Sequence, residues 1–335
     1  MRNKFTVAST PAFARPQTPA AVCMHITRLQ QPVTRQTIVK LSQKSQPTVT
    51  RAIKALIDAQ LIKERHDLST IAGPGRPTIP IQLNTSPWVQ IGIAVGTHST
   101  YIGAYNIRGQ VLREKFVDIT VAQIHPKEFI THLTPHIHGI IEGIGLPLAN
   151  LGIATSGTVN ADGLVTAPNL GWDRVDISNY LHNQFAIPIT ITSVITAIAG
   201  AEQQLQSPEK KDKVLLFYVD DSNGAAILTT DGVYRLDVAK TDSRVALGAI
   251  AVALAKETKP DTIVLAGSAF AQQTDARKVG HSIKHSYKKE VELRVIPTHL
   301  DNARAAARAV ALDRLINDPL GIAGRMRNAK VKDTQ

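Results

Sequence analysis

Apolar positions in the first eighty residues recur at helical spacing and then change period. Val22, Ile26 and Leu29 lie three or four residues apart, which predicts a helix over Ala21 to Leu29 that ends at Gln31-Pro32. Thr34 is placed to cap a second helix, Arg35 to Leu41. Ser45 is placed to cap a third, whose first turn holds Pro47, where a missing N–H is tolerated. In that third helix Val49, Ala52, Ile53, Leu56 and Ile57 form the apolar stripe, leaving Gln46, Thr50, Arg51 and Lys54 on the opposite side. An extended pair follows, around Leu61-Ile62-Lys63 and Ile79 to Leu83. Two short helices, a tight turn without glycine and a strand pair predict a winged helix-turn-helix. The connection between the strands centres on Gly73-Pro74-Gly75-Arg76-Pro77, a wing and linker whose Arg76 is placed to enter an A·T-rich minor groove.

From Trp88 the pattern alternates between strands and helices. Ile91, Ile93 and Val95 alternate, and Tyr101 to Ile107 turns at Arg108-Gly109 into Gln110 to Ile119. A helix follows from Pro126 to Glu142, then a strand over Leu151 to Ala154. Asp176 caps a helix, Ile189 to Ile191 is a strand, and Val194 to Leu205 is a helix. The order then restarts: strands at Lys213 to Val219, Asn223 to Thr230 and Val233 to Val238, helix Ser243 to Glu257, strand Thr262 to Leu265, another helix, strand Val291 to Ile296 and helix Asn302 to Ile316. This weak internal duplication predicts two α/β lobes facing a cleft. The expected organisation is a disordered N-terminus over 1–20, the DNA-binding domain with its linker over 21–84, a first lobe over 85–200, a second over 201–320, and a frayed basic tail over 321–335.

Charge sharpens the picture at one end. The chain of 335 residues carries a net charge of +11, and residues 1–80 hold 12 Lys and Arg against three Asp and Glu. Concentrated positive charge of this kind suits a polyanionic partner, because neutralising phosphates releases counterions. Cys23 is the only cysteine, so no intramolecular disulfide and no cysteine-cluster zinc site can form. The start of the chain is broken by Pro11, Pro16 and Pro19 and holds no apolar run of signal-peptide length. No later segment is long and apolar enough for a membrane span, so a cytoplasmic protein without membrane contact is expected.

Four stretches carry a family resemblance: Ser45-Gln46-Pro47-Thr48-Val49-Thr50-Arg51, Ala59 to Glu64, Gly75-Arg76-Pro77 leading to Ile81-Gln82-Leu83-Asn84, and Ala167-Pro168-Asn169-Leu170-Gly171-Trp172. With the shorter Ile263 to Gly267, they make residues 21–316 resemble the ROK family of sugar kinases and sugar-responsive repressors. The resemblance implies a duplicated actin-like, ribonuclease-H-like two-lobe ATPase fold behind the winged helix-turn-helix. It also implies sugar contacts at Gly157 and Asn169. Several departures from the family's pattern remove chemistry. Ala94 stands at the acidic position of the first phosphate strand, and the second phosphate loop reads Asp220-Asp221-Ser222-Asn223-Gly224, whose carboxylates repel a triphosphate. The family's Asn-Asp pair, which supplies the general base, falls on Ser193 and Val194. The family's zinc segment should follow Tyr234 and is absent.

The reading that results is a sequence-specific DNA-binding regulator, a repressor, on a catalytically inactive body used for oligomerisation and ligand sensing. The alternatives are a ROK sugar kinase with an added DNA-binding domain and an architectural protein without sequence preference. Expected DNA contacts are Arg35, Ser45, Gln46, Thr48, Thr50, Arg51, Lys54 and Arg76, with Lys54 and Arg35 assigned to phosphates. Expected partners are double-stranded DNA, further copies of the chain in a homodimer or higher oligomer, and a sugar-like effector. No cofactor, metal or catalytic residue is expected. His125, His132, His136 and His138 form a local cluster, read as a solvated face because no acidic residue joins them at helical spacing and Pro135 interrupts the helix. Ser156 lacks the glycine pattern of a hydrolase nucleophile.

Overall fold

The computed structural model describes residues 12–69, 77–220, 222–238 and 244–332. Three helices open it: α1 (Pro19–Leu29), α2 (Arg35–Ser42) and α3 (Gln46–Asp58). The expected caps form, with Thr34 accepting from the Thr37 N–H and Ser45 from the Thr48 N–H. Gln43 supplies the left-handed residue of the turn between α2 and α3 at φ 54°, the place a glycine usually takes. Strands β1 (Ile62–Glu64) and β2 (Ile81–Leu83) pair antiparallel with Ile62 opposite Leu83, completing a winged helix-turn-helix.

The body has two sheets with the same strand pattern. The first comprises β3 (Val89–Val95), β4 (Ser99–Tyr105), β5 (Val111–Asp118), and, after helix α4 (Pro126–Ile144), β6 (Leu148–Thr155). A small antiparallel sheet, which the hydrophobic pattern did not announce, follows as β7 (Thr158–Val159), β8 (Val165–Ala167) and β9 (Trp172–Val175). Helix α5 (Ile177–His182), capped by Asp176 as expected, leads to β10 (Ile189–Ser193) and helix α6 (Val194–Leu205). The second sheet is β11 (Val214–Val219), β12 (Asn223–Leu228), β13 (Val233–Leu236), helix α7 (Arg244–Thr258), β14 (Thr262–Ala266), helix α8 (Gln273–Ser286), β15 (Glu292–Ile296) and helix α9 (His299–Asn317). The strand orders are β10-β6-β3-β4-β5 and β13-β12-β11-β14-β15. Each is an antiparallel meander continued by parallel strands, the repeated unit of an actin-like ATPase fold.

The two lobes exchange their last helices. Helix α6 follows the first sheet but packs on β11, β12 and β13, while α9 follows the second sheet but packs on β3, β4 and β6. The helices also pack against each other, and α9 sits close on the first sheet because Gly92 of β3 and Gly152 of β6 present bare backbone to it. A Cβ on Gly152 would lie 2.5 Å from the Val310 carbonyl, and one on Gly92 would fall inside the Ala307 carbonyl. Both helices run away from the cleft between the sheets toward the winged helix. The end of α9 joins its core through Ala311, Leu312, Leu315 and Ile316.

Two ends of the chain differ from expectation. Disorder was expected through residue 20, yet Phe13 is 2% exposed and lies against Gly200 of α6. Around it the backbone of Ala12 and Phe13 exchanges hydrogen bonds with Val233 at 2.8 and 3.1 Å, and the Arg15 guanidinium donates to the Thr229 and Lys210 carbonyls. Composition hid this segment because its order comes from the edge of β13. The basic tail is helix α10 (Pro319–Lys332), not a frayed end, since Ile322 and Ala323 enter the winged-helix core. Helix α4 likewise runs through Pro135. That residue is exposed, so the Thr131 carbonyl it orphans lies on the solvent side, while Phe129, Ile130, Leu133, Ile137 and Ile140 anchor the other side.

Candidate nucleic-acid interface and interlobe cleft

Helix α3 buries Val49, Ala52, Ile53 and Leu56 and leaves Gln46, Thr50, Arg51 and Lys54 exposed. Ser45 and Thr48 are committed to the cap, their hydroxyls 2.8 Å apart. The two expected phosphate contacts have carboxylate partners. Lys54 pairs with Asp58 one turn away at 2.8 Å, and Arg35 pairs with Glu64 of β1 at 2.5 Å. The hydrogen bond from Arg35 holds the Glu64 carboxyl below its ordinary range. The Lys54 pair is solvent-exposed and therefore weak, so a phosphate competes with Asp58 at little loss. Arg35 is the less available cation because it ties α2 to the wing. Arg76 lies outside the described residues.

The winged helix is seated on the body through buried polar contacts. Arg28 of α1, 8% exposed, donates through Nη2 to the Gln204 carbonyl at 2.7 Å, and Gln204 in turn donates to the Ala309 carbonyl at 2.9 Å. His25 Nε2 donates to the Gln206 carbonyl at 2.9 Å. Desolvation of the Arg28 guanidinium and the nearby Arg308 charge push it down to about 9. No sequence pattern marks these residues, since their partners are backbone carbonyls roughly 180 positions away.

At the other end of α6 and α9 lies the cleft, lined by Ala94, Gly96, Thr97, Ser156, Asn169, Val194, Asp220, His299 and Asn302 among others, with a free volume of about 30 Å³. Asn169 donates to Thr97 Oγ1 at 3.2 Å and accepts from Ser156 Oγ at 3.0 Å. Gly157 is required by the backbone: it has φ +80°, and a Cβ there would collide with the Thr166 carbonyl. Ser193 caps α6, accepting from the Thr196 N–H at 3.3 Å, and Val194 opens the helix with an apolar side chain.

Asp220 is the centre of the second-lobe side. Ser268 Oγ donates to it at 2.7 Å, Tyr218 OH at 3.2 Å, and His299 Nδ1 lies 3.3 Å away. Burial raises the Asp220 carboxyl, but the hydrogen bonds from His299 and Ser268 outweigh it and leave the group below its ordinary value. His299, at the start of α9, also approaches Gly96 of the first lobe, so a His–Asp pair lies between the two loops that would hold phosphates in a kinase. The sequence marked Asp220 as a repellent of triphosphate and left His299 unmarked. Their pairing spans 79 residues and exists only because α9 returns to the cleft.

The histidine cluster lies on α4 and its cap. Contrary to expectation, an acidic residue does stand at helical spacing: Glu128 Oε1 is 3.6 Å from His132 Nε2. His136 Nδ1 is 3.0 Å from Lys115 Nζ, His138 stacks on Phe185, and His125 caps the helix. Among the described residues no group of three or more His, Cys, Asp or Glu could hold a metal ion. No described helix is long and apolar enough to cross a membrane.

Residues 90–235, from β3 to β13, match the sequence model of the ROK family. This segment belongs to the ROK family. A transcriptional regulator of Mycobacterium tuberculosis is 31% identical over 188 residues, 56% of this chain and 42% of the relative. The xylose repressor of Bacillus subtilis is 20% identical over 218 residues, covering 61% of this chain and 53% of that one. The chain thus spans between two fifths and about half the length of these curated relatives. Among solved structures, a ROK family transcriptional regulator described as a homologue of the E. coli MLC protein superposes with a TM-score of 0.68 at 16% identity, covering 92% of this chain and 98% of that one. A ROK glucokinase from Streptomyces griseus, solved with glucose and AMPPNP, gives 0.51 at 12% identity and covers 66% of this chain and 99% of its own. The first likeness shows a shared fold over nearly the whole chain, the second over the two-lobe body alone.

Proposed function

We propose that this chain is a sequence-specific DNA-binding transcriptional repressor of the cytoplasm, whose ROK body serves oligomerisation and the sensing of a sugar-like ligand. The observation that carries the reading is the face of α3. Its first two turns expose Gln46, Thr50 and Arg51 on a winged helix whose α1 is seated on the body through Arg28 and His25. Amide and guanidinium groups there match base edges in the major groove. The names of the curated relatives support the same reading. One winged helix meets a single half-site, so at least two copies are needed for specific affinity, with half-sites one helical turn or a multiple apart.

Selection of bound duplexes from a random pool tests the proposal. A paired motif should be enriched, and failure to enrich any sequence would favour an architectural protein. Gln46→Ala or Arg51→Ala should relax preference at particular base pairs by about 1–3 kcal/mol, measured by competition between the selected site and single-base variants.

Catalytic inactivity is part of the proposal. Ala94 and Val194 offer no carboxylate where phosphoryl transfer needs one, and Asp220 is engaged by His299, Ser268 and Tyr218. Incubation with ATP, magnesium and a panel of hexoses and pentoses should leave ATP unconsumed. Sugar-dependent ATP turnover that is lost on substituting Asp220 would instead establish the kinase alternative.

A further inference from the structure

Helix α10 is the strongest feature that the reading above leaves unused. Its sequence holds Arg325, Arg327, Lys330 and Lys332 and no Asp or Glu. It is docked beside the recognition helix: Ile322 and Ala323 are buried in the core that also contains Val49, Ile53 and Leu56, with Leu320 and Met326 packed against it. Its first turn borders α3 directly. Thr48, Arg51, Ala52 and Ala55 of α3 share with Pro319 and Leu320 a groove of about 430 Å³.

Helical geometry then separates the cations of α10. Seven residues make almost two full turns, so Arg327 lies on the same strip as Leu320, about 10 Å further along the axis. At Leu320 that strip borders the flank of α3 that carries Arg51. Arg325 is two residues away, about 160° around the helix, on the far side of the buried stripe. Both guanidinium groups are exposed, and no ion pair is formed by either among the described residues.

We infer that α10 is a second DNA-contacting element, in which Arg327 holds a backbone phosphate beside the base pairs met by Arg51, while Arg325 makes no such contact. The inference rests on the DNA-binding reading and extends it from the winged helix to the far end of the chain. A helix docked through apolar residues in the winged-helix core holds its cation in fixed register with α3, whereas a frayed tail would add only diffuse charge.

The test uses the full chain and a 40-base-pair duplex of mixed sequence, because phosphate contacts need no particular operator. Affinity is measured from low to moderate salt by fluorescence anisotropy for the wild type, Arg327→Gln, Arg325→Gln and Arg327→Lys. Loss of one contact lowers the slope of log affinity against log salt by about 0.9, equivalent to about eightfold in affinity at 0.1 M salt relative to 1 M. Arg327→Gln should show this loss, Arg325→Gln should retain the wild-type slope, and Arg327→Lys should restore it. Equal slopes for the wild type and Arg327→Gln, or equal losses for both Gln variants, would overturn the inference while leaving the DNA-binding reading intact. Failure of the wild type to bind duplex at low salt would overturn both. Glutamine keeps helix propensity, and matching thermal unfolding of all four proteins establishes that slopes are compared on intact folds.

Discussion

Gly92→Ala is expected to unseat helix α9 from the first sheet and to destabilise the protein by about 3 kcal/mol, the upper end for overpacking a core. At this position the backbone of β3 meets the backbone of α9, and the added methyl would fall on the Ala307 carbonyl, which is not the movable end of a side chain. The strand cannot retreat, because β3 is central, paired with β4 on one side and β6 on the other. The helix cannot retreat cheaply, because its far end carries Leu312, Leu315 and Ile316 into the winged-helix core. Gly152→Ala, which meets Val310, should behave in the same way. Gly139→Ala is the matched control, since a Cβ on that residue of α4 meets nothing within 4 Å, and a helical Gly→Ala change is neutral or stabilising. Chemical denaturation followed by circular dichroism measures all three. A Gly92→Ala protein as stable as the Gly139→Ala control would refute the close approach.

The second expectation concerns pH. His25 is 3% exposed, and its ring is pushed down to about 4, first by desolvation and then by the charge of Arg28. The unfolded chain therefore takes up a proton near pH 6.5 that the folded chain refuses until about pH 4. Stability from this group is fully present above pH 6.5 and is lost as pH falls through that window, by about 3 kcal/mol for the full shift. Asp313 acts in the opposite direction. The residue is only half-buried as a whole, but desolvation of its carboxyl pushes it up to about 7, so its contribution grows as the pH falls. The difference between the wild type and His25→Gln isolates the histidine, because glutamine can still donate to the Gln206 carbonyl and does not titrate. That difference should change by about 3 kcal/mol between pH 7 and pH 4, in the sense that wild type loses stability relative to the variant on acidification. A difference independent of pH would show that the ring is not desolvated where α1 meets α6.

Local features were legible wherever one element decides them. Thr34, Ser45 and Asp176 cap helices by accepting from an N–H three residues away. The stripe Val49, Ala52, Ile53 and Leu56 needs only the period of a helix, and with its apolar side fixed, Gln46, Thr50, Arg51 and Lys54 are exposed by subtraction. The repeated meander was readable for the same reason, because strand alternation and glycine turns are short-range patterns. The missing carboxylates at Ala94 and Val194 needed no coordinates at all.

What the tertiary structure decided is where elements distant in sequence meet. Helices α6 and α9 each follow one lobe in sequence and yet pack on the other, because a buried apolar helix is satisfied by either sheet, and for α9 the bare backbone at Gly92 and Gly152 admits it closely to the first sheet. That exchange carries the ends of α6 and α9 to the winged helix, where Arg28 and His25 of α1 meet the end of α6. It also gives the basic C-terminal segment a surface to fold on. Ile322 and Ala323 are too few to specify a helix by periodicity, and become buried only because the end of α9 delivers them to the winged-helix core.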